Sequence, residues 1–130
     1  MLDTDTCIAI IKKQPGNALR KLRGKSIGQL GISSITFSEL AFGAAKSSKP
    51  DDANAALAEF ALALEVAAFD SDAAMLYGEL RASLERRGTP IGPLDTLIAA
   101  HALALDTVLV THNTREFAHV ARLRLEDWLK

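Results

Sequence analysis

Cysteine is nearly absent from this 130-residue chain, with Cys7 its sole thiol. One thiol excludes an internal disulfide framework and a CxxC metal site, and beside Ile8 it reads as a small core residue. Nothing points to an oxidising compartment, so the cytoplasm is the expected location. Aromatic residues are only 5% of the chain. Trp128 therefore lacks the second aromatic a base-stacking platform needs and is expected to cover a sheet edge or a subunit contact. No apolar run approaches the roughly 18 to 20 residues that cross a bilayer, and Met1-Leu2-Asp3 lacks the basic and apolar regions of a signal peptide, so no membrane association is expected. The formal net charge of −1 gives no overall attraction for nucleic acid.

What is present is a globular composition, 48% hydrophobic and 24% charged, on a length suited to a single domain spanning residues 1–130. The near-neutral total conceals a separation of signs. Lys12, Lys13, Arg20, Lys21, Arg23 and Lys25 form a run without an acid, and Asp51, Asp52, Glu59, Glu65, Asp70 and Asp72 form a run without a base. Such runs are commonly solvated faces, although the basic one could also attract phosphate. Arg81, Arg86 and Arg87 read as the solvent side of a helix.

Short strands and helices alternate. Met1 to Asp3 is a strand stub. Helical pieces over Ile8–Ile11 and Ala18–Leu22 are split by Gln14-Pro15-Gly16-Asn17. A strand at Leu30–Ser33 runs into a helix bearing Phe37, Leu40, Ala41 and Ala44 at helical spacing. An Ala-rich helix over Asp52–Glu65 carries Leu57, Phe60, Ala61 and Leu64 on one stripe, with a brief strand at Val66–Phe69 after it. The next helix is expected from Ser71, as N-cap, to Arg87, closed by Gly88. Pro93 opens a further helix with Leu94, Leu97, Ile98, His101 and Leu105 on one side. His101 on that apolar stripe reads as a packed core residue. A buried strand follows at Val108–Val110, then a loop from Thr111 to Thr114. This alternation implies an α/β fold with a short central parallel sheet flanked by helices on both faces.

Three acids occupy equivalent places in that layout: Asp3 ends the first strand, Glu39 lies in the first turn after the second, and Asp95 lies in the first turn after the Gly92-Pro93 loop. In open α/β sheets the carboxyl ends of the strands form the ligand crevice, where such acids converge. Carboxylates there suit Mg²⁺ and phosphodiester hydrolysis. Each acid also has a plain structural reading. Thr36-Phe37-Ser38-Glu39 spells a capping box, Asp95 suits a helix N-terminus, and Asp3 could cap the helix after it.

Four blocks together resemble the acidic motifs of PIN-domain ribonucleases of the VapC toxin family, from type II toxin–antitoxin systems. They are Met1-Leu2-Asp3-Thr4, Ile32 to Leu40, Gly92 to Ala99, and Thr111 to Phe117. Leu123 to Trp128 is similar to that family's C-terminal strand. The resemblance implies a PIN-like domain with metal ligation by Asp3, Glu39 and Asp95, Mg²⁺ or Mn²⁺ as cofactor, and a hydroxyl role for Thr111. It further implies endonucleolytic cleavage of structured RNA, with tRNA anticodon regions as a candidate substrate, a VapB-like antitoxin partner and a toxin homodimer. The chain departs from the family pattern at Asp5, where Asn is common, and at Asn113, which occupies the fourth acidic position. Either Asn113 serves there with its amide oxygen, or Glu116 supplies the missing carboxylate. His112, beside Asn113, could touch substrate or be a surface residue. The rival enzyme reading is a phosphatase of the haloacid dehalogenase type, because Asp3-Thr4-Asp5-Thr6 spells Asp-x-Asp-x-Thr. That chemistry wants a full strand before the first Asp and a late acidic pair, which this sequence does not offer.

Overall fold

The computed structural model describes residues 1–13, 16–25 and 29–129. Its elements are α1 (Thr4–Lys12), α2 (Gly16–Arg23), β1 (Gly31–Ser33), α3 (Ser34–Ala45), α4 (Pro50–Ala61) and β2 (Glu65–Ala67). They continue through α5 (Ser71–Arg86), α6 (Pro93–Ala104), β3 (Leu109–Val110), α7 (Thr114–Phe117) and β4 (Leu125–Glu126). The expected break after α1 lies partly outside the described residues, at Gln14 and Pro15.

The strands pair in parallel, β1 with β2 and β3 with β4. The N-terminal stub joins the two pairs. Leu2 N–H donates to the Gly31 carbonyl at 3.0 Å, Val110 N–H to Met1 at 2.7 Å, and Asp3 N–H to Val110 at 2.9 Å. The strand order is therefore β2, β1, the Met1–Asp3 segment, β3, β4, with the segment bridged to Val110 in parallel. Because side chains alternate across a strand, neighbours enter opposite cores. Leu2, Ile32 and Val110 pack with Cys7, Ile10, Leu40, Leu57, Phe60 and Trp128 from the α1–α4 face. Met1 and Leu109 pack with Ile98, Ala99, Ala102 and Phe117 on the other. Helices thus cover both faces, as the alternation in sequence implies.

Several local expectations are corrected. The cap of α5 is Asp70, whose Oδ1 accepts from Ala73 N–H at 3.1 Å, so Ser71 is the first helical residue. At the other end Gly88, at φ 71°, closes the helix as expected. Thr89 N–H reaches the Leu84 carbonyl and Gly88 N–H that of Glu85, the paired bonds of a Schellman turn. The apolar stripe proposed for α6 fails at both ends, since Leu94 and Leu105 are 46% and 50% exposed. The buried side is instead Thr96, Ile98, Ala99, Ala100, His101 and Ala102, whose alanines let α6 lie close between the sheet and α5. Trp128 is buried in the α1–α4 core, its indole N–H held by Glu126 at 2.8 Å, so it neither stacks a base nor offers a subunit contact.

Candidate active site

The carboxyl ends of the central strands gather the acids, each on a different element. Asp3 is the N-cap of α1: its Oδ1 accepts from Thr6 N–H at 2.9 Å, so the plain capping reading holds. It is also only 5% exposed. Burial raises its carboxyl, and hydrogen bonds from the Thr111 hydroxyl and from Thr6 work against that rise. Thr111 thereby acquires a direct contact with the site, since its hydroxyl serves Asp3 and also accepts from Asn113 N–H at 3.0 Å.

Glu39 is not part of a capping box. Helix α3 starts at Ser34, two residues before the expected cap, and is capped by Ser33, whose hydroxyl accepts from Ile35 N–H at 3.0 Å. Thr36 consequently lies inside the helix, buried, with its hydroxyl unpartnered. Glu39 falls in the second turn rather than the first and reaches across to α1, where it accepts from the Thr4 hydroxyl at 2.6 Å. The capping explanation for Glu39 is thereby removed.

Asp95 is the third residue of α6, in the first turn as read from the sequence. Its carboxyl is pushed up to about 6, first by burial and then by the charges of Glu116, Asp3, Glu39 and Asp5. A helix N-terminus alone would lower it. Burial is the larger influence, and the four carboxylates add to it.

Glu116, on the short α7, accepts from the Gly92 N–H at 2.9 Å and from the Asn113 side-chain amide at 2.5 Å. Asn113 itself is exposed. A Cβ built on Gly92 would stand 3.8 Å from Asp95 Oδ2 and 3.9 Å from Glu116 Oε1. The missing side chain therefore leaves a cradle facing both carboxylates. Nothing in the sequence pattern linked Gly92 to Glu116, since the contact joins the start of α6 to α7, 24 residues away along the chain. The structure thus brings Asp95 within electrostatic reach of Asp3, Glu39 and Glu116, while Asn113 meets the group through Glu116.

Among the described residues, no three His, Cys, Asp or Glu side chains close into a ready cage for a metal ion. Mg²⁺ does not require one, because it keeps several waters and binds through one or two carboxylates completed by substrate phosphate. Mutually repelling oxygen donors around an open cradle fit that ion, and the absence of thiol or neutral imidazole donors fits softer metals less well.

The remaining singled-out residues lie elsewhere. His101 is 1% exposed, with Nδ1 2.8 Å from the Ser33 hydroxyl and Phe69 edge-on at 5.4 Å. Burial lowers its pKa, as befits a neutral core ring. His112 is exposed, its Nδ1 3.0 Å from Asp127. Arg81 bonds Glu85 and Tyr77 on the surface of α5, and Arg87 bonds the His119 carbonyl. Asp5 faces solvent in the first turn of α1. The Asp-x-Asp-x-Thr sequence therefore points only its first acid inward.

The PIN domain model matches residues 1–123. The chain is 44% identical over 128 residues to the tRNA(fMet)-specific endonuclease VapC of Salmonella typhimurium, covering 98% of this chain and 96% of the relative. The chain belongs to the VapC family of PIN-domain ribonucleases. Ribonuclease VapC2 of Rickettsia felis is 40% identical, with 100% of this chain and 98% of the relative covered. Among solved structures, the DNA-bound VapBC of Salmonella typhimurium superposes with a TM-score of 0.93 at 44% identity, covering 98% of this chain and 96% of that one. VapBC-1 of nontypeable Haemophilus influenzae gives 0.90 at 33% identity, with 100% and 98% covered. Membership in this family leaves the phosphatase reading without support.

Proposed function

We propose that this VapC-family chain, as one PIN domain, is the toxin of a type II toxin–antitoxin pair, a Mg²⁺-dependent endoribonuclease that hydrolyses phosphodiester bonds in structured RNA. The observation that carries this reading is the gathering of Asp3, Glu39, Asp95 and Glu116 from four elements about one crevice, where burial and then the neighbouring carboxylates push Asp95 up. Uncompensated negative charge in a crevice at the strand ends is where a divalent cation and a polyanion together would be stabilised. Asp3, Glu39, Asp95 and Glu116 would hold the ion, and Mn²⁺ could replace Mg²⁺. When bound, such an ion stabilises charge on the phosphate and makes water more acidic.

The chain's own residues prepare that chemistry. Thr6 and Thr111 fix the Asp3 carboxylate from two directions, so its orientation is set before substrate arrives. The Thr4 hydroxyl does the same for Glu39. His112, exposed and braced by Asp127 beside Thr111, is a candidate contact for the RNA strand.

The relative from Salmonella is named for tRNA(fMet), and this supports tRNA as the substrate class. The anticodon region is the proposed place of cleavage. The solved neighbours are VapBC complexes, and this supports a VapB-like antitoxin as partner. An apolar groove among α1, α3 and α4, lined by Ile8, Ile11, Leu40, Ala44 and Leu57, reaches Glu39 and would let such a partner cover the acids. A homodimer belongs to the same reading, supported by Leu62 at 81% and Met75 at 70% exposure. No helix among the described residues is long and apolar enough to cross a membrane, and the cytoplasm is the proposed location.

The test is to incubate purified protein with total RNA in Mg²⁺ or in chelator and sequence the new 5′ ends. Discrete cuts that need the metal and cluster in tRNA are expected. Cleavage undiminished by chelator would overturn the metal assignment, and an absence of cuts in tRNA alongside cuts elsewhere would overturn the substrate.

A further inference from the structure

The fourth acidic position of the family pattern is filled by Asn113, and two roles compete for it: a neutral ligand to the ion, or a support for something else. The hydrogen bonds discriminate between them. Asn113 Nδ2 donates to Glu116 Oε2 at 2.5 Å, while Glu116 Oε1 accepts from Gly92 N–H at 2.9 Å. Gly92 is the N-cap of α6 and its carbonyl accepts from both the Thr96 N–H and the Thr96 hydroxyl, so this contact fixes the helix end that carries Asp95. On the other side Asn113 N–H donates to Thr111 Oγ1 at 3.0 Å, and the Thr111 hydroxyl is bonded to Asp3. A chain of hydrogen bonds thus runs Thr111, Asn113, Glu116, Gly92, and ends at the turn bearing Asp95.

We propose that Asn113 is a positioning residue and not itself a ligand: its amide clamps Glu116, one of the four acids assigned to the ion above, against Gly92 on the side facing Asp95. The inference rests on the metal-dependent reading above. Its chemistry is specific to an amide. A carboxylate at position 113 would place two acceptors against each other at the separation now spanned by a donor and an acceptor, whereas Asn supplies the N–H that keeps Glu116 aimed. The side chain makes no bond to the N-terminus of α7, so its amide is not occupied in capping that turn. Partners that orient a metal ligand typically cost 10- to 100-fold in metal affinity when removed.

A double-mutant cycle separates the two roles. Mn²⁺ binding to RNA-free protein is measured by calorimetry for wild type, Asn113→Ala, Glu116→Gln and the double variant, with thermal midpoints as the check on folding. Each single change is expected to weaken binding by about 10-fold or more. The double variant is expected to bind within about two-fold of Glu116→Gln alone, because Asn113 acts only through Glu116. Losses that multiply would show Asn113 to be a ligand in its own right and overturn the proposal, as would unchanged binding in Asn113→Ala. Asn113→Ser, which also lacks the amide, replaces the alanine variant if that one is unfolded. Wild-type protein that binds no Mn²⁺ and cleaves RNA in chelator would instead overturn the metal reading, a result distinct from an additive cycle.

Discussion

Asp3 and Asp95 are the same residue type in one crevice, yet they are balanced in opposite ways. Asp3 is 5% exposed and should be the more perturbed, but donors from Thr6 and Thr111 offset its burial. Asp95 is half-buried, yet its carboxyl reaches about 6, because neighbouring acids add to the effect of burial and no donor offsets it. Burial alone therefore does not rank the two. The difference lies in the neighbours: hydrogen-bond donors of the fold offset part of the burial at Asp3, whereas the neighbours of Asp95 are acids that add to it.

The sharpest way to break this comparison is to remove each charge. Asp95→Asn should cut RNA cleavage by more than about 100-fold, since ligands matter at least as much as the groups that orient them. Its thermal midpoint should hold level or rise, because the repulsion is relieved. Asp3→Ala should abolish cleavage too, but with a loss of about 0.5–2 kcal/mol from the missing N-cap. Paired cleavage assays and thermal melts check this. An Asp95→Asn protein with full activity, or one destabilised as much as Asp3→Ala, would erase the distinction.

A smaller effect is expected in pH dependence. The folded pKa of Asp95 is raised above its unfolded value, so its contribution is destabilising above about pH 6 and is lost as pH falls through that value toward 4. After allowance for solvent screening at a half-exposed group, the gain on acidification is on the order of 1 kcal/mol. His101 acts in the opposite direction over part of the same window, because a buried neutral ring resists protonation. The difference between wild type and Asp95→Asn, melted in parallel from pH 7.5 to 5 without metal, isolates the carboxyl. Identical pH profiles would show that Asp95 is not repelled by its neighbours.

These effects depend on contacts that were unevenly legible in the sequence. The parallel α/β arrangement could be read because Leu2, Ile32 and Val110 belong to short apolar stretches between helices. Asp95 could be placed because Pro93 marks the first turn of α6. The capping box at Thr36 could not be rejected from sequence, since Ser33 offered an equally good cap three residues earlier and only the path of β1 decides between them. Asp70 and Ser71 posed the same ambiguity. The α6 stripe was misjudged because its alanines carry little weight in a hydrophobic pattern although they make the closest approach. The Glu116 bond to Gly92 was invisible, because it joins the start of α6 to α7, which only the folded sheet brings together.

Asp5→Asn should have the smallest effect, with RNA cleavage within about two-fold of wild type. Asp5 is exposed and is the weakest of the four charges acting on Asp95. A steady-state cleavage assay checks this, and a large loss would restore a catalytic role for the second acid of the Asp-x-Asp-x-Thr sequence.

The imbalance at Asp95 is tested most directly by counting protons as Mn²⁺ binds to RNA-free protein at pH 6, by calorimetry in buffers of different ionisation enthalpy. Metal ligands must be deprotonated to bind. With its carboxyl near 6, Asp95 should release roughly half a proton per ion, and Asp95→Asn should lose most of that release along with affinity. Binding of equal strength and equal proton release in the two proteins would contradict a cation drawn to the uncompensated charge of Asp95.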